Sequence, residues 1–210
     1  MTLYDQKDAV NARRVRMFLA EKGLTIPAVS VDIRSGQNLS SEYLAINPTG
    51  LVPALETDEG EVIGESIAIC RYIEALEPSP NLFGFSPIEV ARIEAWERRM
   101  EREGLLTIAQ GFRESTDVFT NRAVPGIAEG FEQIPDLAKR GAALADRFLS
   151  MLDHRLTEQQ FVAGERFTVA DITAFVSCGF AKWIGLKAEE KGPGISRWYA
   201  AIKGRPSASA

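Results

Sequence analysis

Asn47-Pro48-Thr49-Gly50-Leu51-Val52-Pro53-Ala54-Leu55, followed by Gly64-Glu65-Ser66 and then Ile67-Ala68-Ile69-Cys70-Arg71-Tyr72-Ile73, is the stretch on which the reading of the fold turns. Pro48 pushes the residue before it out of helical backbone, so a short helix capped by Ser40 or Ser41 ends at Ile46. Val52–Glu56 reads as a strand that contains a proline, a residue confined in sheets to edges, first positions and bulges. Glu61–Ile63 is its hairpin partner across Asp58-Glu59-Gly60. Ser66–Leu76 is a helix with Ser66 as its N-cap. Only about 5–6% of X-Pro bonds are cis. If Val52–Pro53 is one of them, the Val52 N–H and C=O turn outward and can pair with an extended peptide, as an added strand does.

Upstream, Thr2–Tyr4 reads as a strand and Ile26–Val31 as a second. Between them Asn11–Lys22 is a helix with Val15, Phe18 and Leu19 on one face and Gly23 as its stop. The order is β-α-β-α-β-β-α. Asn11 suits the cap of the first helix, whose N-terminus has unpaired N–H groups and a partial positive charge able to hold an anion or a thiolate. Arg13, Arg14 and Arg16 read as a basic run on a solvated or dimer-facing surface. Downstream, Glu77-Pro78-Ser79-Pro80-Asn81-Leu82-Phe83-Gly84 reads as a linker. Beyond it no strand is evident. Ile93, Trp96, Met100, Ile108 and Phe112 keep helical spacing, as do Leu137, Gly141, Leu144, Phe148, Leu152 and Leu156. Val169–Val176 is apolar on nearly every face and marks a buried helix. Thr168 and Asp171 stand at capping-box spacing before it. A helix over Ile195–Ile202 precedes a Ser/Ala-rich tail expected to fray. The expected organisation is an α/β domain over residues 1–77, a linker over 78–87 and an all-helical domain over 88–210.

Composition narrows the function. The 210 residues carry 24 Lys and Arg against 29 Asp and Glu, with 45% hydrophobic and 25% charged residues, the balance of a soluble globular protein. Disorder and a disulfide-dense secreted fold are excluded. Cys70 and Cys178 have no neighbouring cysteine, and His154 is the only histidine, so neither CxxC chemistry nor a two-histidine metal site fits. No metal is expected. The acidic balance, with a pI near 5.1, argues against nucleic-acid binding. Met1-Thr2-Leu3-Tyr4-Asp5 has no signal-peptide character, and no run of apolar residues is long enough to span a membrane. A cytoplasmic location is the expectation.

Taken together, Asn-Pro-x-Gly-x-Val-Pro-x-Leu, the hairpin, Glu-Ser-x-Ala-Ile-x-x-Tyr-Ile and Phe167-Thr168-Val169-Ala170-Asp171-Ile172 resemble the glutathione transferase superfamily over nearly the whole chain. The resemblance implies a thioredoxin-like N-terminal domain, a helical C-terminal domain, glutathione as co-substrate, a small electrophile as second substrate, and a homodimer. It places Val52 against the cysteinyl part of glutathione, makes Pro53 the cis proline, and gives Glu65 and Ser66 the γ-glutamyl end. Gly36-Gln37-Asn38-Leu39-Ser40 resembles the Gly-Gln-His-Leu-Ser of theta-like members, so Asn38 stands where a histidine often binds the glycyl end. Leu51 stands where Lys or Gln is common. Both departures predict weaker binding of the glycyl carboxylate.

The larger departure concerns the thiol. The family usually places Tyr, Ser or Cys near the first helix, and here Ala9 and Val10 offer none. Asn11-Ala12-Arg13-Arg14-Val15-Arg16 and Phe18-Leu19-Ala20-Glu21-Lys22-Gly23 resemble a bacterial and fungal branch without the standard catalytic residue. Asn11 and the helix terminus remain as activators. A free thiol of pKa about 8.5 is only about 3% ionised at pH 7. A helix terminus worth roughly 0.3–2 kcal/mol lowers that pKa by up to ~1.5 units, which suffices for a substantial thiolate fraction. Arg113 and Ser115 are candidates for orienting substrate or a water, while His154 reads as surface and Cys70 as core. Two alternatives stay open: glutathione-dependent disulfide reduction, and a non-catalytic binding or interaction module.

Overall fold

In the computed structural model, which describes residues 1–210, β1 (Thr2–Asp5) lies inside a four-stranded mixed sheet of order β2-β1-β3-β4. β2 (Ala28–Ser30) runs parallel to it, β3 (Ala54–Glu56) antiparallel, and β4 (Val62–Ile63) pairs antiparallel with β3. β2, β3 and β4 are shorter than the runs that suggested them, while β1 extends one residue further, to Asp5. Pro27 and Pro53 have no N–H to donate, so pairing starts at Ala28 and Ala54. The Val52–Pro53 bond is cis, as is Ser79–Pro80.

Side-chain alternation divides the sheet into two faces. Leu3 pairs with Leu55, and both are buried under α1 (Val10–Lys22) and α3 (Ser66–Leu76). On the other face Tyr4 meets Tyr43 of α2 (Ser41–Leu44) edge-on, with ring centroids 6.0 Å apart, above a small cluster of Val31, Tyr43 and Val52. Gly23 ends α1 at φ 67°, its N–H returning to Ala20 and Leu19.

The helical part begins at Pro87, inside the expected linker. α4 (Pro87–Arg99) is capped by Ser86, whose hydroxyl accepts the Glu89 N–H at 3.3 Å. The long helix expected from Ile93 to Phe112 is one rod with a wide π-helical turn at Met100–Leu105, continuing as α5 (Leu106–Arg113). α6 (Pro135–Glu158) crosses α5 at two glycines, where a Cβ on Gly141 would lie 2.5 Å from the Gly111 nitrogen. α7 (Val169–Ala181) runs through the centre, and α8 (Pro193–Lys203) closes the bundle.

The capping box at Thr168 does more than start α7. Asp171 is fully buried; its Oδ2 accepts the Thr168 N–H at 3.0 Å, while Oδ1 accepts the Val162 N–H and the Trp198 indole N–H, each at 2.9 Å. Burial pushes this carboxyl up to about 6 against the pull of those bonds.

In the stretch read as a linker, Leu82 and Phe83 are buried, and Lys22 Nζ donates to the carbonyls of Glu77 at 2.8 Å and Pro80 at 2.6 Å. One hydrophobic core therefore runs from Leu3 and Phe18 through Phe83 to Val169. The C-terminal tail is docked rather than frayed. Arg205 pairs with Glu21 of α1 at 2.7 Å, Ser207 is buried, and Arg13 Nη2 donates to the Ala208 carbonyl at 2.9 Å.

Candidate active site

The turn between β1 and α1 opens into a cavity of about 450 Å³. Asp8, Ala9, Val10 and Asn11 form its floor, and Phe112, Phe119, Phe180 and Trp183 its wall. The aromatic wall is self-supporting: Phe112 stands edge-on to Phe119 and Phe180, and its ring lies 5.1 Å from Trp183. No Tyr, Ser or Cys lines the cavity. Tyr4 is directed elsewhere and donates to Glu56 at 2.9 Å.

Asn11 is not the cap of α1. The cap position is Ala9, without a side-chain bond, and Asn11 is the second helical residue. Its Oδ1 accepts from Arg14 Nη2 at 2.8 Å, leaving the amide N–H₂ as its donor end. Ser66 is likewise not the cap of α3. Glu65 holds that position and is exposed, while Ser66 is the first helical residue, buried, with its Oγ accepting from Arg14 Nη2 at 2.7 Å. One cation in the interior claims both side-chain oxygens.

That cation was missed in the sequence. Arg14 is only 2% exposed, contrary to the expected solvated surface. Nη1 and Nη2 each donate to Glu101 Oε1 at 3.1 Å, and Nη1 also reaches Glu97 Oε1 and Thr173 Oγ1 at 3.4 Å. Glu101 belongs to the π-helical turn, which brings it to the same guanidinium as Glu97. Glu97 is fully buried and further accepts the Thr173 hydroxyl at 2.9 Å. Burial pushes its carboxyl up to about 7 despite Arg14. The signal was there: Arg14 lies four residues before Phe18, on the buried face of α1. Arg13 and Arg16 are half-buried, Arg16 paired with Asp5 at 2.7 Å. Phe180 and Trp183, beyond the segment the apolar pattern marked, were missed as well.

Asn38, Val52 and Arg113 meet around a smaller cavity of about 90 Å³ next to the first. Arg113 lines both cavities. Glu65, Ser66 and Pro53 line neither cavity. Ser115 also lies outside both, and its hydroxyl is turned back to the Gly111 carbonyl at 2.8 Å, which removes it as a substrate-orienting group. His154 is 80% exposed and Cys70 is buried, as expected.

Residues 10–76 match the model of the glutathione S-transferase N-terminal domain and residues 118–206 that of the C-terminal domain. The chain belongs to the glutathione S-transferase superfamily. It is 33% identical to Glutathione S-transferase 2 of Saccharomyces cerevisiae over 99% of this chain and 87% of that protein. The crystal structure of Gtt2 from the same yeast superposes with a TM-score of 0.90 at 31% identity, over 100% of this chain and 99% of that one. GstB of Escherichia coli K12 is 28% identical over 99% of this chain and 95% of that protein. This glutathione S-transferase is thus an enzyme of the superfamily, with glutathione as its substrate. No helix of the transferase is long and apolar enough to cross a membrane.

Proposed function

We propose that the enzyme conjugates the thiolate of glutathione to small hydrophobic electrophiles held in the 450 Å³ cavity, and that the start of α1 with Asn11 keeps the sulfur ionised. The observation that carries this reading is the composition of the cavity: a helix N-terminus and an amide donor on one side, four aromatic rings on the other, and no hydroxyphenyl, seryl or thiol group between them. A thiolate at the first turn faces unpaired N–H groups and the positive end of the helix dipole. Asn11 presents a donor there because Arg14 holds its oxygen. Stabilising the charged form more than the neutral one raises the fraction of reactive nucleophile.

Glutathione lies along Val52, its γ-glutamyl end at Glu65 and Ser66. The Ser66 hydroxyl accepts from Arg14 and keeps its own proton to donate to the γ-glutamyl carboxylate. The exposed Glu65 carboxylate suits the ammonium group. A homodimer is supported by Phe85, 77% exposed, and Ile88 close by in sequence, also exposed.

The deciding experiment is titration of bound glutathione by thiolate absorbance, in the wild type and in Asn11→Ala. We expect the bound thiol to titrate about one unit below its free value of about 8.5, and Asn11→Ala to return part of that shift. A bound thiol that titrates like free glutathione in the wild type overturns the mechanism. Glu65→Ala is expected to abolish glutathione binding while the protein stays folded. Conjugation and disulfide-exchange assays on one preparation separate transfer from disulfide reduction. A folded protein that binds no glutathione at millimolar concentration is a non-catalytic module.

A further inference from the structure

The 90 Å³ cavity is walled by Asn38, Leu51 and Val52 of the first domain and by Arg113 and Arg122 of the second, and no acidic side chain lines it. The two arginines donate only to backbone carbonyls. Arg113 Nε reaches the Ala123 carbonyl at 2.7 Å and Nη2 that of Arg122, while Arg122 Nη2 reaches Ile33 at 2.9 Å and Nη1 Arg34 at 3.4 Å. Two cations thus share a small space without a counterion. Burial and the charge of Arg122 push the Arg113 guanidinium down to about 10, against the pull of Glu114. The segment bearing Arg122 is fixed in place: Gly126 has φ 74°, and a Cβ there would lie 2.4 Å from the Thr49 carbonyl oxygen.

The opposite wall presents a different need. Asn38 is 3% exposed, its Nδ2 donates to the Gly50 carbonyl at 2.8 Å, and its buried Oδ1 has no partner. A carbonyl can only accept, so this bond fixes which end of the amide is which, and the Asn38 oxygen is left wanting a donor. The cavity therefore asks for a small group with an N–H at one end and an anion at the other.

We propose that Arg122 and Arg113 recognise the terminal carboxylate of the glycyl residue of glutathione, while Asn38 Oδ1 accepts the peptide N–H that precedes it. This rests on glutathione lying along Val52. The carboxylate contact that Asn38 and Leu51 do not provide is supplied from the helical domain. The site then discriminates by the C-terminal end of the thiol: glutathione is favoured over γ-glutamylcysteine, and over glutathione whose glycyl carboxylate is converted to an amide.

Calorimetric titration of those three thiols into the full-length protein tests this. In the wild type, glutathione is expected to bind at least about tenfold more tightly than either of the others, the fold-change that one charged hydrogen bond makes. Arg122→Gln is expected to remove most of that preference, lowering glutathione affinity about tenfold and leaving γ-glutamylcysteine unchanged; Arg122→Lys restores part of it. A thermal melt confirms folding, and if Arg122→Gln does not fold, the wild-type series decides alone. Equal affinity of the wild type for all three thiols overturns the proposal. So does an Arg122→Gln effect of the same size on every ligand, which marks Arg122 as a tether between the domains. Failure of the wild type to bind any of the three instead removes the glutathione reading itself.

Discussion

Arg14→Met is expected to destabilise the protein by about 3–5 kcal/mol, because it leaves Glu97 in the interior without its cation. Glu97 is fully buried and its Oε2 already lacks a partner. The substitution also frees the Asn11 and Ser66 oxygens that Arg14 now holds, so glutathione affinity should fall with stability. Adding Glu97→Gln should recover part of the stability and little of the affinity. Urea unfolding, followed in parallel with glutathione titration, reads both; equal stability of Arg14→Met and wild type contradicts the charge argument.

Glu97→Gln alone gives that argument a pH signature. The folded protein holds the Glu97 carboxyl up at about 7, above the ordinary glutamate value of about 4.3. Between these values the folded state binds more protons than the unfolded one, so this group makes stability fall as pH rises. The stability of Glu97→Gln relative to wild type should therefore rise as pH is raised from 5 to 7 and level off above that. A difference independent of pH over that range removes Glu97 as the titrating group.

Asp171→Ala is the second large effect. The carboxylate accepts from the Thr168 and Val162 amides and from the Trp198 indole. Removing it orphans these three buried N–H groups and takes the acceptor from the Thr168 hydroxyl as well, at about 1–3 kcal/mol each, a loss of at least about 3 kcal/mol. Trp198 reports it directly, since its indole N–H loses its acceptor and the emission should shift before global unfolding in urea. Thr168→Ala, which touches only the cap, should cost about 1 kcal/mol. If the two variants proved equally stable, Asp171 would be a cap and nothing more.

Much of this molecule is legible in short-range patterns, because its elements are bounded by residues with strong backbone preferences. Gly23 ends α1 where the periodicity stops, Gly60 turns the hairpin at φ 84°, and the Thr168–Asp171 spacing marks the start of α7. The family motif likewise points to Val52 and Asn38, which come together at one cavity. What escapes is whatever depends on an element distant in sequence. Arg14 reads as solvated until α4 supplies Glu97 and the π-helical turn supplies Glu101. Asn11 and Ser66 read as caps until the same guanidinium takes their oxygens. Arg122 stands among turn residues, and only contact with the Ile33 carbonyl places it beside Asn38. The tail reads as loose because its anchor, Glu21, lies at the far end of the chain.

The π-helical turn at Met100–Leu105 has a bearing on how such enzymes diversify. An α-helix advances about 100° per residue, and a wide turn absorbs one extra residue, so losing one residue there would close it to an ordinary turn and keep the residues beyond it on their faces. Phe112 and Arg113 would stay at the pocket, while Glu101 would lose the placement that brings it to Arg14. One added residue, confined to a single turn, thus re-aims a carboxylate towards the interior without disturbing the aromatic wall further along the same rod.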